Sequence, residues 1–181
     1  MLNYNFFKSQ NDSKQLLVML HGFISDSTTY DSHIEQLSQH VNVLTIDLPG
    51  HGKDTSDMND TWDFPYIAHA LDEVLSQYDM YDVYLLGYSM GGRVALYYAL
   101  KGSVALRGLL LESTSAGIQS EADKVERVQV DAARAKVLEI AGLEIFVNDW
   151  EKLPLFRSQY ELDAEVRKAI RANRMSQNPV R

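Results

Sequence analysis

Cysteine is missing from all 181 residues. Disulfides, thiolate nucleophiles and thiolate-held zinc are therefore excluded. Long apolar runs are missing too, with none reaching the ~18 residues that a membrane-spanning helix needs. The N-terminus, MLNYNFFKSQND, has no basic stretch followed by an apolar core, so it does not read as a secretory signal. Positive charge is scarce. Seventeen Lys and Arg stand against 25 Asp and Glu, for a net charge of −8. Such a balance argues against nucleic acid or an anionic membrane as partner. It is compatible with an anionic small molecule held by a few local arginines. Histidine is unevenly spread, with five residues at positions 21, 33, 40, 51 and 69 and none after them. The expected setting is cytoplasmic, and nothing in the sequence speaks to oligomeric state.

What is present is an ordinary globular composition, 45% hydrophobic and 23% charged, enough for one sizeable core. Short apolar runs at Asn3 to Phe7, Gln15 to Leu20, Val41 to Ile46, Val83 to Leu86 and Leu106 to Leu111 read as strands. Between them lie helical spacings. Tyr30, Ile34 and Leu37 follow cap candidates Asp26 and Ser27. Ile67, Leu71, Val74, Leu75 and Tyr78 follow the start signal Asp63-Phe64-Pro65. Gly91 to Leu100 reads as a helix closed at Gly102. Strand alternating with helix predicts an α/β fold with a mostly parallel sheet covered on both faces. From Ser120, which has Asp123 three residues on, only helical spacings recur. They run through Val128, Ala132, Ala135 and Leu138, then Gly142 to Trp150 and Leu162 to Met175. The expected division is a core over 1–119 and a helical cap segment over 120–181.

Leu85-Leu86-Gly87-Tyr88-Ser89-Met90-Gly91 places Gly-x-Ser-x-Gly between an apolar strand and a helix. A sharp turn there lifts the serine hydroxyl above the sheet edge. The flanking glycines are required because side chains would collide with neighbouring backbone. In this architecture negative charge on a reacting oxygen is met by two backbone N–H groups. One follows the nucleophile and one comes from a loop after an earlier strand. Met90 supplies the first, and Phe23, in His21-Gly22-Phe23 after QLLVML, the second. The His21 ring reads as a loop support and His51 as a turn former. His33, His40 and His69 read as solvent-facing or locally bonded.

Taken in order, His-Gly-Phe, then Asp-Leu-Pro-Gly-His-Gly, then Gly-x-Ser-x-Gly-Gly-Arg resemble the α/β-hydrolase superfamily. The stretches HGFISDSTTY, TIDLPGHG, GYSMGGRVALYYAL, LESTSAGI and FVNDWEKLPLF resemble its 2-succinyl-6-hydroxy-2,4-cyclohexadiene-1-carboxylate synthase branch, lyases of menaquinone biosynthesis. The resemblance implies an α/β-hydrolase fold with a helical cap. It implies elimination of pyruvate from a carboxylated cyclohexene intermediate, without metal or organic cofactor. It implies Ser89 as the catalytic serine, and Tyr88, Arg93, Arg127, Trp150 and Arg174 as substrate-binding residues. Arg93 lies one helical turn beyond Ser89 and can face the same pocket, and its planar fork suits a carboxylate. Arg134 reads as surface.

One departure matters. The superfamily orders its triad as serine, acid, histidine, and no histidine follows Ser89. A serine hydroxyl is a weak nucleophile without a histidine to take its proton. Acids do follow, including Glu112. The resemblance therefore implies the front portion of such an enzyme, truncated before the last strands. The expectation is little or no lyase activity from these residues alone, and an apolar edge strand at Leu106 to Leu111. Two other functions fit the same residues. One is a carboxylic-ester or carbon–carbon bond hydrolase sharing the serine turn. The other is a non-catalytic α/β-hydrolase remnant that binds without turning over.

Overall fold

A computed structural model describes all residues, Met1–Arg181. The chain divides into two compact units, Met1–Ala116 and Gly117–Arg181.

The first unit is built on a five-stranded sheet of order β1-β3-β2-β4-β5. The strands are β1 (Tyr4–Phe7), β2 (Gln15–Leu20), β3 (Asn42–Ile46), β4 (Asp82–Tyr88) and β5 (Leu106–Glu112). β2, β3, β4 and β5 pair in parallel, while β1 runs antiparallel on β3, so the sheet is mostly parallel as expected. The helices are α1 (Asp31–Ser38), α2 (Phe64–Leu75) and α3 (Met90–Lys101).

Side chains alternate across a strand with period two, and the core follows that rule. Leu16, Val18 and Leu20 of β2, Leu44 and Ile46 of β3, and Val83 and Leu85 of β4 share one cluster. Leu71, Val74 and Leu75 of α2 and Val94, Ala95 and Tyr98 of α3 complete it. The opposite register of the same strands, Met19 and Val43, packs with Tyr30 and with Ile34 and Leu37 of α1. Each fully buried leucine or isoleucine contributes roughly 1.5–3 kcal/mol by leaving water.

Local signals place the helix ends. The Asp63 carboxylate accepts the Tyr66 N–H at 2.9 Å and caps α2, with Pro65 in its first turn. The Asp26 carboxylate accepts the Thr28 N–H and caps the short 3-10 turn (Ser27–Tyr30) that leads into α1. α3 ends where the Gly102 N–H donates to the Tyr98 carbonyl at 2.7 Å. A side-chain knot ties α2 to that end. Asp72 accepts the Tyr98 hydroxyl at 2.6 Å, the Ser103 N–H at 2.9 Å and the Ser103 hydroxyl at 2.8 Å.

The second unit is helical, with no strand in it. α4 runs from Glu121 to Trp150 and is broken at Gly142, whose φ of 82° and ψ of 173° are not helical. The two helical spacings expected on either side of that glycine are thus two helical segments that meet at a kink. Ser120 caps α4 by accepting the Asp123 N–H at 3.3 Å. A 3-10 segment (Pro154–Glu161) and α5 (Ala164–Met175) follow. α5 begins two residues later than the sequence pattern suggests, because Asp163 takes the N-cap position in front of Ala164.

Candidate active site

Ser89 stands between the last residue of β4 and the first of α3 with φ 53° and ψ −111°. A non-glycine residue so placed is strained by about 1–3 kcal/mol, which surrounding structure must offset. Three main-chain contacts hold it. The Ser89 N–H donates to the Glu112 carbonyl of β5 at 2.9 Å. The Ser89 carbonyl accepts the Gly92 N–H at 3.1 Å and the Arg93 N–H at 3.3 Å. The turn also needs its glycines. A Cβ on Gly87 would fall inside the Gly91 carbonyl, and one on Gly91 inside the Leu20 and His21 carbonyls. Close approach of three backbones explains both.

The loop after β2 lies against this turn. A Cβ built on Gly22 would meet the Tyr88 ring at 2.9 Å and the Ser89 Cβ at 3.6 Å. The loop at Gly22 therefore runs beside Tyr88 and Ser89, with room there for no side chain. Ser89 is the N-cap of α3 and so sits at the positive end of the helix dipole. Arg93, one turn along α3, is half-buried and has no carboxylate partner within its unit. Ser89, Tyr88, Met90, Arg93 and the Phe23 loop are thus gathered in one region.

His21 is fully buried, and both ring nitrogens serve the main chain. Nε2 accepts the Leu48 N–H at 2.9 Å, so the proton sits on Nδ1 and is donated to the Gly22 carbonyl at 2.7 Å. Burial, with a like charge from His51 adding to it, brings its pKa down to about 4. The ring is a neutral brace between the loops after β2 and β3. His51 packs 5.2 Å from it, ring centre to ring centre, and bonds the Pro49 carbonyl, and burial lowers its pKa as well. Asp47 completes the brace by accepting from Asn3, from the Ser27 N–H and from the Lys53 N–H. His33 and His69 are exposed; His33 is within hydrogen-bond reach of Ser32 and His69 faces Glu73 at 3.9 Å. His40 lies at the surface beyond α1. No group of His, Asp and Glu is arranged to hold a metal ion.

Arg127, Trp150 and Arg174 belong to the second unit. Arg127 is exposed on α4 and pairs with Asp131 one turn on, at 2.7 Å. Trp150 packs with Phe146 and Phe156, at ring separations of 5.8 and 5.7 Å. Arg134, expected as plain surface, lies over the Trp150 ring at 5.3 Å. Its guanidinium covers an aromatic face that sequence spacing alone did not pair with it. Arg174 is 8% exposed. It donates to Glu151 at 3.1 Å and to Gln159 at 3.0 Å, and lies 4.7 Å from the Phe156 ring centre. Those contacts give Arg174 a structural part within its unit, joining α5 to the end of α4. Arg171, one turn earlier on α5 and not singled out by sequence, pairs with the same Glu151 at 2.7 Å and is four times as exposed at its side chain. Its signal was the i, i+3 spacing with Arg174, which puts both on one helix face. Together with Phe156, Tyr160 and Arg167 they line a pocket of about 300 Å³.

Comparison with known proteins agrees with this architecture. Residues 17–177 match the model of the Alpha/beta hydrolase family. The putative 2-succinyl-6-hydroxy-2,4-cyclohexadiene-1-carboxylate synthase of Bacillus subtilis (strain 168) is 31% identical over 93% of this chain and 62% of its own length. The 2-succinyl-6-hydroxy-2,4-cyclohexadiene-1-carboxylate synthase of Salmonella agona (strain SL483) is 36% identical over 90% of this chain, again 62% of its own length. The solved structure of MenH from S. aureus is 56% identical, covers 99% of this chain and 67% of its own, and superposes with a TM-score of 0.97. The chain spans about three fifths of the length of these two curated relatives. With the serine turn, the strand order and these matches together, the chain belongs to the alpha/beta hydrolase family.

Proposed function

We propose that these residues supply the serine, the oxyanion-facing N–H groups and the carboxylate-gripping arginine of a 2-succinyl-6-hydroxy-2,4-cyclohexadiene-1-carboxylate synthase. That lyase eliminates pyruvate from a carboxylated cyclohexene in menaquinone biosynthesis. The observation that carries the reading is Arg93. It stands one turn beyond a strained Ser89, half-buried, with no acidic partner in its unit. A guanidinium left unpaired beside a nucleophile-type serine suits an anionic substrate better than a neutral ester. The kinship with named synthases points the same way. Tyr88 and the backbone N–H groups of Phe23 and Met90 belong to the same proposed site. Arg127, Trp150 and Arg174 are proposed cap contributions to substrate binding, with Arg174 acting through the packing around Glu151 and Phe156.

The proton of Ser89 needs an acceptor. His21 is committed to the main chain through both nitrogens, and no histidine follows Ser89. These residues alone should therefore bind the carboxylated ligand and release little or no pyruvate.

The test is calorimetric titration with 2-succinyl-6-hydroxy-2,4-cyclohexadiene-1-carboxylate, on the wild-type chain and on Arg93→Ala. A lost hydrogen bond to a charged group removes about 1.5–3 kcal/mol, so affinity should fall roughly 10- to 150-fold. Equal affinity of the two proteins would overturn the reading in favour of an ester hydrolase or an unrelated binding module. That compound is the product of the elimination and reports binding alone; a coupled assay for pyruvate, run separately on the pyruvate-bearing cyclohexene substrate, should stay at background.

A further inference from the structure

Thr114 lies in the loop beyond β5, two residues after Glu112, and is half-buried. Its hydroxyl donates to the Ser89 carbonyl at 2.7 Å, the shortest of the three hydrogen bonds that this oxygen receives. The same side chain lies directly over Gly92. A Cβ there would meet the Thr114 Cβ and Cγ2 at 2.6 Å and its Oγ1 at 2.8 Å. Thr114 and the turn are therefore fitted to each other, and glycine at 92 makes the room.

The consequence lies in the peptide plane. Ser89 C=O and Met90 N–H belong to one planar unit, and no cis bond occurs in the chain. Fixing the carbonyl oxygen at one side fixes the direction of the N–H at the other. The other two donors to this oxygen, Gly92 and Arg93, come from the first turn of α3 itself and move with it. Thr114 is the donor from outside the helix, anchored beyond β5. We propose that Thr114 is a positioning residue that aims the Met90 N–H at the reacting oxygen. It acts through the Ser89–Met90 peptide and without touching substrate. The assignment deepens the proposed function and rests on Ser89 being the nucleophile.

Two variants isolate the hydroxyl. Thr114→Ala and Thr114→Ser both lose the methyl over Gly92, and they differ only in the group that bonds Ser89. The readout is the ¹⁵N order parameter and residual dipolar coupling of the Met90 N–H in the full 181-residue chain. A rigid amide gives about 0.85 and a flexible one falls below about 0.6. In Thr114→Ala the Met90 order parameter should drop toward 0.6 and its coupling should change, while Leu85 and Val94 hold theirs. Thr114→Ser should match wild type. A Met90 signal unmoved in the alanine variant overturns the proposal. So does an equal change in both variants, or a change shared by Leu85 and Val94. Labelling of Ser89 by a small fluorophosphonate separates this from the reading beneath it. If wild type labels, the alanine variant should lag severalfold behind the serine variant, and equal rates refute the catalytic role of the geometry. An unlabelled wild type is what a serine without a proton acceptor gives, and the Met90 amide then decides the proposal by itself, for or against.

Discussion

Acidifying the protein from pH 7 to pH 5 should loosen the first unit through His21. Its ring is fully buried, and its proton-free nitrogen already accepts the Leu48 N–H. Burial, reinforced by His51 nearby, sets its pKa at about 4, against 6.5 in an unfolded chain. The unfolded state therefore binds a proton that the folded state refuses. This contribution is whole above about pH 6.5 and drains as pH falls toward 4. A difference of that size withdraws about 2 kcal/mol at pH 5 and about 3 kcal/mol at pH 4. His51 is shifted in the same direction and adds to the loss. Asp72 is held below the usual carboxylate range, its burial outweighed by its Tyr98 and Ser103 bonds. Its linked loss falls nearer pH 4 and leaves the interval from 7 to 5 to the histidines. Urea unfolding at pH 7, 6 and 5 reads the effect as a falling midpoint, and His21→Asn should show a flatter profile at lower overall stability. A His21 ring that titrates by NMR with a midpoint at or above 6 would refute the reasoning. So would a pH dependence in His21→Asn as steep as in wild type.

Two further substitutions test the packing that presents the serine. Gly91→Ala should cost at least about 3 kcal/mol, because the new methyl falls inside the Leu20 and His21 carbonyls; a thermal melt within a degree or two of wild type would contradict it. Asp72→Ala takes the acceptor from the Tyr98 O–H, leaving its oxygen only the Val104 N–H at 3.3 Å, and frees Ser103. It should cost about 2 kcal/mol in chemical denaturation, with Tyr98→Phe recovering part of the loss when combined with it.

The sheet is legible in the sequence because its strands are short apolar runs ending on turn residues, and those runs lie where the structure has them. Direction is less legible. Nothing in Tyr4–Phe7 says that β1 pairs antiparallel with β3, since period-two alternation is the same either way. The serine turn is legible because close backbone approach demands glycine at 87 and 91, a requirement that leaves a mark in the letters. Thr114 leaves none. A threonine after a strand is commonplace, and its bond to Ser89 spans 25 residues of chain. The cap arginines show the same limit. Spacing puts Arg171 and Arg174 on one helix face, but only the fold shows Glu151 shared between them and Arg174 the more buried. Arg134 over Trp150 joins residues 16 apart on the two sides of Gly142, which periodicity through a broken helix cannot register.

The break at Gly142 also divides α4 in its cohesion. The buried residues of that helix, Phe146 and Val147, both lie after the glycine, and from Glu121 to Ala141 none is buried. That first stretch is held by its own backbone ladder, the Ser120 cap, exposed pairs such as Lys124 with Glu121, and one contact across the break, Arg134 over Trp150. A helix with so little tertiary support rests mainly on its own ladder, and a segment of about 20 residues interconverts with coil in roughly 0.1–1 μs. Its amides should therefore exchange with solvent long before those of β2 or α3, in a local opening that leaves the sheet intact. The 121–141 stretch should thus open locally, losing little more than the Arg134–Trp150 contact, while the residues around Ser89 unfold only with the core.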